Sequence, residues 1–211
     1  PLLIPYTEGH YRISRSLAVN GSVIGQGGMP KIVQTSEESH RVGLLLENGM
    51  SGWIYNLHIV GPYDSTAAKP TTEWGHNIGI RAAQDVTIMN CVLETALGDG
   101  IGTAGGRNGT SNNILITNNN ILDSYRNGIA TTQIDDHWAI MNNHIEYYTS
   151  YVNPIDFEPH EEASRTTNME VGYNEIISPK PRWKDDNHFY DCVVKLAGWF
   201  DTTPGRNFFL H

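Results

Sequence analysis

The stretch Val86-Thr-Ile88-Met-Asn90-Cys91-Val-Leu93 decides the fold, because four other parts of the chain repeat its pattern. Each copy has two apolar residues two positions apart, then a polar bend, then another apolar residue, which is typical of short strands. The central apolar positions are separated by 34, 28, 24 and 31 residues. These positions are Ile54, Ile88, Ile116, Ile140 and Val171.

A second motif alternates with the first, so each repeat contains at least two short strands. Its copies are Gly79-Ile80, Gly100-Ile101, Gly128-Ile129 and Pro154-Ile155. A repeat of about 24 residues cannot close a sheet alone, whereas stacked coils pair their strands in parallel and bury one shared core. No window shows the sustained spacing of an amphipathic helix.

The asparagines at the bend separate this fold from an antiparallel sandwich, which is the alternative with many short strands. Asn119, Asn143 and Asn174 fall at one equivalent position of the repeat. Stacked amides there can hydrogen-bond along the coil. An antiparallel sandwich does not predict asparagine at the same position of every repeat.

The sequence therefore predicts an all-β, right-handed, single-stranded parallel β-helix. We expect its rungs over residues 1–181, with early strands at Tyr11-Arg-Ile13 and Val23-Ile24-Gly25. The aromatic-rich segment 182–211 departs from the repeat, and we expect it to cover or continue the helix. No amphipathic helix precedes the early strands, so we expect a fragment that lacks an N-terminal cap helix.

Composition excludes several classes of protein. The formal net charge is −9 and no Lys/Arg cluster is present, which argues against nucleic-acid binding. No apolar run has the length of a membrane span. Cys91 and Cys192 lie 101 positions apart, and the repeat places them several rungs from each other, so we expect two free, mostly buried thiols.

Two segments resemble the pectate-lyase-like superfamily of right-handed β-helix proteins. Pro5-Tyr-Thr-Glu-Gly9-His-Tyr11-Arg-Ile13 is similar to the strand after that family's N-terminal cap. Ile155-Asp156-Phe157-Glu158-Pro159-His160 resembles a strand of bacterial and phage β-helix polysaccharide enzymes. The superfamily holds polysaccharide lyases, glycoside hydrolases, mannuronan C5-epimerases and phage tailspike depolymerases. The resemblance implies an extracellular or virion-associated protein whose partner is a polysaccharide.

The same segment also looks like the catalytic strand of mannuronan C5-epimerases, with two departures. Glu158 replaces an Asp of that strand, and His160 matches its His. Ile155 stands where the catalytic Tyr of the epimerases is found, which weakens an epimerase assignment.

Strand alternation turns this segment into a candidate catalytic site. If Ile155 and Phe157 face the core, then Asp156, Glu158 and His160 face outward together. We expect Asp135-Asp136-His137 to form a loop that reaches the same surface, and Asp135 and Asp136 are further catalytic candidates. The alternatives are a polar strand end without chemistry and a solvated turn.

Paired carboxylates suit glycoside hydrolysis, which needs one protonated and one ionised carboxyl group. Same-face residues two apart on a strand are roughly 6.5–7 Å apart, within the range of about 6.5–9.5 Å for inversion. A lyase or epimerase instead needs a base, such as His160 or a Tyr, and a cation to neutralise the uronate. Ca²⁺ could also supply that charge. The chain shows no zinc-ligand spacing, and we assign no residue as a metal ligand. The substrate-binding candidates are Arg81, Asp99, Arg107, Asn127, Asn153, Lys195 and Trp74.

Three functions follow as expectations. The first is a polysaccharide-degrading enzyme, either a glycoside hydrolase or a polysaccharide lyase, that binds a glycan along the β-helix face. The second is a non-catalytic β-helix, either an adhesin or the structural domain of a phage tailspike. The third is a mannuronan C5-epimerase-like enzyme. A missing cap would also suit a homotrimer or part of a larger chain.

Overall fold

The computed structural model gives an all-β chain in the residues that it describes. These residues are 1–35, 42–47, 49–64, 74–104, 110–132, 134–146, 153–158, 166–177, 194–196 and 208–210. Their strands, numbered in chain order, form three sheets in which every pairing is parallel.

Each sheet takes strands from the whole length of the chain. Sheet A contains β1 (Leu2–Pro5), β4 (Val23–Gln26), β7 (Gly52–Tyr55), β10 (Gln84–Met89), β13 (Thr110–Thr117), β16 (Ile134–Met141), β19 (Thr166–Thr167), β20 (Met169–Gly172) and β23 (Phe208–Leu210). Sheet B contains β2 (Tyr11–Ile13), β5 (Lys31–Gln34), β8 (His58–Val60), β11 (Val92–Glu94), β14 (Asn120–Leu122), β17 (His144–Glu146) and β21 (Glu175–Ile177). Sheet C contains β3 (Leu17–Val19), β6 (Leu44–Leu46), β9 (Ile78–Ile80), β12 (Ile101–Thr103), β15 (Ile129–Thr131), β18 (Ile155–Phe157) and β22 (Val194–Leu196).

The chain visits sheets A, B and C in turn, and then returns to sheet A one strand further along. One strand from each sheet makes a rung, and each rung pairs with the next through all three sheets. This order is consistent with the predicted parallel β-helix. The early strands expected around Tyr11 and Val23 are confirmed as β2 and β4. Strands β22 and β23 extend sheets C and A within the 182–211 segment.

The core is built from columns of aliphatic residues, because each rung places the same apolar position above the last. In sheet A, Ile54, Ile88, Ile116, Ile140 and Val171 are successive register partners, as the repeat predicts. The isoleucines of this column are completely buried. Burying one such side chain stabilises the fold by roughly 1.5–3 kcal/mol. Sheets B and C have equivalent columns, which include Ile32 and Ile59 in sheet B and Leu44 and Ile78 in sheet C.

The predicted asparagine ladder is confirmed at the corner between sheets A and B. Asn119 Nδ2 donates to Asn143 Oδ1 at 3.0 Å, and Asn143 Nδ2 donates to Asn174 Oδ1 at 3.0 Å. Each Oδ1 also accepts a backbone N–H from the rung below. The ladder therefore satisfies buried polar groups at a corner where the backbone cannot pair with itself.

The residue before each ladder position has a left-handed backbone, which makes the corner sharp. Asn56, Asn90, Asn118 and Asn142 have φ between 54° and 58°. Asparagine tolerates this conformation better than most residues. In Asn118-Asn119 and Asn142-Asn143 the first asparagine therefore makes the bend and the second takes the ladder position, whereas Tyr173 (φ 54°) makes the bend before Asn174.

The register of sheet C corrects one part of the sequence alignment. Ile78, rather than Ile80, pairs with Ile101. The first copy of the second motif is therefore Asn77-Ile78 and not Gly79-Ile80. Ile78 and Ile80 are both buried, so a shift of two residues leaves the hydrophobic pattern unchanged. The shift moves Arg81 out of the column that contains Gly102, Ala130 and Asp156.

Cys91 occupies the ladder position of its rung, below Asn119. It is free and buried, as expected, and burial raises the pKa of its thiol to about 12. Cys192 lies outside the described residues. Among the residues that the structure describes, no helix is long and apolar enough to cross a membrane.

Candidate functional site

The outer face of sheet C carries a buried network of charged and amide side chains. Two positions before successive strands, the column reads His76, Asp99, Asn127 and Asn153, and each is at most 3% exposed. The residues of this column, together with Trp74, Arg126, Asp156 and Glu158, are called the sheet C network below.

Hydrogen bonds between rungs hold this column in place. Asp99 Oδ1 accepts both the backbone N–H of Asn127 (2.9 Å) and its Nδ2 (3.0 Å). Asn127 Oδ1 accepts the backbone N–H of Asn153 at 3.1 Å. Asn153 Nδ2 then donates to Asp156 Oδ2 at 3.3 Å, which ties the column to strand β18.

A glycine makes room for the charged end of the column. A Cβ at Gly102 would lie 2.7 Å from His76 Nδ1 and 2.8 Å from Asp99 Oδ2. His76 and Asp99 therefore lie directly over the outer face of β12, where any larger residue would displace them. The rung below is covered by apolar side chains instead, since a Cβ at Gly79 would meet Ala104 and Val42.

His76 and Asp99 share one ring nitrogen in two contacts. The Nδ1 atom lies 2.9 Å from the backbone nitrogen of Asp99 and 3.2 Å from its Oδ2. Nδ1 accepts the backbone hydrogen bond when it lacks a proton, and donates to the carboxylate when it carries one. The protonation of this nitrogen therefore decides which group of Asp99 the imidazole binds.

Arg126 joins the two ends of the sheet C network. Its Nε lies 3.9 Å from Asp99 Oδ1, and its Nη2 lies 3.8 Å from Glu158 Oε2. The guanidinium also lies 5.0 Å from the centre of the Trp74 ring, and the Trp74 ring meets His76 edge-on. The guanidinium of Arg126 thus lies between the carboxylates of Asp99 and Glu158, which come from rungs two apart. The Trp74 ring lies over the guanidinium.

These contacts keep Asp99 ionised. Complete burial would raise the pKa of its carboxyl group, but the charge of Arg126 and the contacts with His76 outweigh burial. The pKa of Asp99 is therefore below its ordinary value. A buried carboxylate with a depressed pKa between two cation-forming groups is typical of functional sites.

Solvent reaches only the outer part of the network. The side chains of Arg126 and Glu158 are each 12% exposed, and Trp74 is half-buried. Asp156 lies on the face opposite Ile155 and Phe157, which are in the core, but it is only 2% exposed. Solvent exposure of Asp156 is therefore wrong as an expectation: its carboxylate is buried and accepts a hydrogen bond from Asn153 Nδ2.

The expected Asp135-Asp136-His137 loop is also wrong, because these residues belong to strand β16 of sheet A. Asp135 pairs with Ser111 and Thr166 and is completely buried. The left-handed backbone at His137 (φ 53°) lets the strand continue across the bend. The structure therefore does not bring Asp135 and Asp136 to the sheet C network.

Asp136 has its own contacts on sheet A. Burial would raise the pKa of its carboxyl group, but hydrogen bonds from Thr167 (2.6 Å) and Asn168 (2.8 Å) outweigh it and lower the pKa. His137 Nδ1 lies 2.9 Å from the other carboxyl oxygen.

The remaining site candidates divide into three groups. Asp99, Asn127, Asn153, Trp74 and Glu158 come together in the sheet C network. Arg81 lies elsewhere, where it contacts Glu47 (3.7 Å) and donates to the carbonyl of Ala104 (3.1 Å). Arg107 and His160 lie outside the described residues, and of Lys195 the structure describes only the backbone, which pairs with Asp156.

The sequence interpretation missed His76 and Arg126. His76 is two positions before the true register residue Ile78, so the misaligned glycine motif hid its place in the Asp99 column. Arg126 directly precedes Asn127 in the sequence. A charged residue next to a repeated amide position was the signal that could have identified Arg126 as a site residue.

The described residues contain no group of three or more His, Cys, Asp or Glu side chains arranged to hold a metal ion. The carboxylates of Asp99 and Glu158 both face the guanidinium of Arg126. Comparison of the chain with known protein families, curated proteins and solved structures found no match.

Proposed function

We propose that this chain is a right-handed parallel β-helix of the pectate-lyase-like type that binds and degrades a polysaccharide at the outer face of sheet C. The handedness rests on the strong preference of parallel strand connections for right-handed crossovers. The family assignment rests on the segments around Pro5 and Ile155 and on the three-sheet stack.

The observation that carries the function is Arg126 between Asp99 and Glu158. Cleavage of a glycosidic bond by hydrolysis needs one carboxylate that stays ionised and one carboxyl group that can hold a proton. Asp99 fits the ionised role, because Arg126 and His76 lower its pKa. Glu158 is the carboxyl group that solvent reaches, so it is the proposed proton donor.

Trp74 and Arg126 supply the recognition surface beside these acids. A half-buried indole ring offers an apolar face for a sugar ring while its neighbours hydrogen-bond the hydroxyl groups. Arg126 would also attract a substrate carboxylate, which is the feature that a lyase requires. The guanidinium is already shared by two carboxylates, so a neutral glycan and hydrolysis are the better match.

The test is a panel of neutral and uronate-containing polysaccharides incubated with the protein. New reducing ends without unsaturated-uronate absorbance identify a hydrolase, and reducing ends with that absorbance identify a lyase. Glu158→Gln should lower turnover by about 10²-fold or more while thermal stability stays close to wild type. Glu146→Gln, which changes a half-buried glutamate on sheet B, is the matched control and should keep full activity.

A non-catalytic β-helix is the second candidate, favoured by the two ladders. The Asn119 ladder and the Asp99–Asn127–Asn153 column both satisfy buried groups without any ligand. Binding of a glycan without any product, with equal affinity for the wild type and Glu158→Gln, would establish this function and remove the enzyme proposal.

A further inference from the structure

The middle of the outer face of sheet A is broad, and its outward side chains carry no charge over the five rungs from β4 to β16. The strand register arranges its outward side chains in two rows along the stack. The first row is Trp53, Thr87, Leu115 and Ala139, and the second is Ile24, Tyr55, Met89, Thr117 and Met141. These residues alternate with the buried isoleucine column, so they point away from the core. They are called the apolar face below.

Much of the apolar face is open to solvent. Trp53 is 52% exposed, and Tyr55, Met89, Leu115 and Met141 are half-buried. Contiguous exposed patches of this kind on a protein surface usually mark an interaction site.

Two polar rims with different charge border the apolar face. At the carboxyl ends of the strands, the rim consists of Asn56, Asn90, Asn118 and Asn142, and we call it the amide rim. At the amino ends, the rim consists of Asp85, Asn113, Asp136 and His137, and we call it the acidic rim. Asp136 stays ionised at neutral pH, because the hydrogen bonds from Thr167 and Asn168 lower its pKa despite burial.

We propose that the apolar face binds the same face of a second copy of this chain, with the two-fold axis parallel to the stack of rungs. The composition of the face supports a protein occupant. The buried centres of protein interfaces are depleted in charge and enriched in aromatic residues and methionine. Trp53, Tyr55, Met89 and Met141 fit that description. A glycan that extends over five rungs would need more stacking surface than the one exposed indole ring of Trp53 provides.

The size of the face also suits a dimer. Sheet A has the longest strands described, and β13 and β16 each contain 8 residues. The five strands β4, β7, β10, β13 and β16 contain 4, 4, 6, 8 and 8 residues, so at about 3.3 Å per residue and about 4.8 Å per strand they project to roughly 480 Å². The accessible area of a corrugated face exceeds its projection, which brings it close to the ~800 Å² per partner of a standard interface.

The rims decide the orientation of the two copies. A two-fold axis parallel to the stack reverses the strand direction of the second copy, so each acidic rim meets an amide rim at the same rung. A two-fold axis parallel to the strands would place acidic rim against acidic rim. Each copy carries a net charge of −9, so repulsion between the two copies matters. The axis parallel to the stack is favoured, because it keeps Asp85 and Asp136 of one copy away from Asp85 and Asp136 of the other.

Light scattering after size-exclusion chromatography tests the surface. The wild-type chain should have the mass of a dimer, and Leu115→Lys should have that of a monomer. Leu122→Lys is the matched control, because Leu122 is a half-buried outward residue on sheet B of the same rung. It should remain dimeric, and circular dichroism checks that both variants fold. A monomeric or trimeric wild type, or equal dissociation by both variants, overturns the proposal.

Asn118 tests the orientation. In the proposed arrangement, Asn118→Lys faces the acidic rim of the second copy and should tighten the dimer, whereas Asn118→Asp should weaken it. Each effect on the dissociation constant should be roughly two- to thirty-fold, for two symmetry-related surface charge pairs. If the axis were parallel to the strands, amide rim would face amide rim and neither substitution would meet the acidic rim, so Asn118→Lys would fail to tighten the dimer, which would overturn the orientation.

Discussion

Asn119 Nδ2 donates to Asn143 Oδ1 at 3.0 Å, and the same oxygen accepts the backbone N–H of Asn119. Asn143 also donates from its own Nδ2 to the carbonyl of Ile116 on the rung below. One buried amide therefore bonds to three groups in the neighbouring rung, and of these Asn119 Nδ2 has a second bond, to the carbonyl of Ile88 at 3.0 Å.

Replacement of Asn143 should be costly for this reason. Asn143→Ala should lower the free energy of unfolding by about 2–4 kcal/mol, since stranded buried groups keep their full desolvation cost. Denaturant unfolding measures it. Asn120→Ala, an exposed position on the neighbouring rung, is the control and should change stability by less than about 0.5 kcal/mol. Equal effects of the two substitutions would mean that the ladder does not stabilise the fold.

Gly102 is the position where a single methyl group should disrupt the sheet C network. Gly102→Ala places a Cβ within 2.8 Å of His76 and Asp99, which must move. Overpacking of this kind costs about 1–3 kcal/mol, and the proposed activity should fall with it. Thermal unfolding and the glycan assay measure both effects. At Gly21 a Cβ meets nothing within 4 Å, so Gly21→Ala should leave both unchanged.

The repeat could be predicted from sequence because stacking reuses the same positions in every rung. The asparagines at 119, 143 and 174 and the isoleucines at 88, 116 and 140 each mark one column, so their spacing alone indicated parallel stacking. Periodicity could not set the register of Ile78-Gly79-Ile80, because a two-residue shift leaves the same face apolar.

The sheet C network could be predicted only in part, because its burial depends on what lies over each strand. Alternation correctly separated Asp156 from the core residues Ile155 and Phe157. It could not show that Gly102 leaves space for His76 and Asp99, because a glycine in a strand can equally mark a bulge, a bend or a close approach of another group. The aromatic contact between Trp74 and Arg126 joins parts of the chain about 50 residues apart and has no local signal.

The depressed pKa of Asp99 predicts how stability changes in acid. The folded state holds this carboxyl group ionised below the ordinary pKa near 3.9. Asp99 therefore stabilises the fold above that value, and its contribution is lost as the pH falls through the lower pKa of the folded state. Urea unfolding from about pH 6 down to about pH 2 measures this effect. The free energy of unfolding should fall more steeply with decreasing pH for the wild type than for Asp99→Asn. Parallel curves would show that Asp99 does not titrate with folding.

His144 makes the opposite prediction on sheet B. Its Nδ1 lies 2.8 Å from Glu175 Oε2 and its Nε2 lies 3.5 Å from Glu146 Oε2. The hydrogen bond with Glu175 raises the pKa of His144, burial opposes this, and Glu146 adds to the increase. The imidazolium therefore stabilises the fold fully below the ordinary pKa of about 6.5, and this contribution is lost as the pH rises through the higher folded pKa.

Titration of the His144 ring by NMR measures this effect directly. The midpoint should lie above the ordinary value in the wild type and fall in Glu175→Gln, because the amide removes the charge while keeping the shape. Glu47→Gln changes an acid that faces Arg81 instead and should leave the His144 midpoint in place. Since His144 and Glu175 come from adjacent rungs, a midpoint insensitive to Glu175→Gln would contradict the register of β17 on β21 as well as the ion pair.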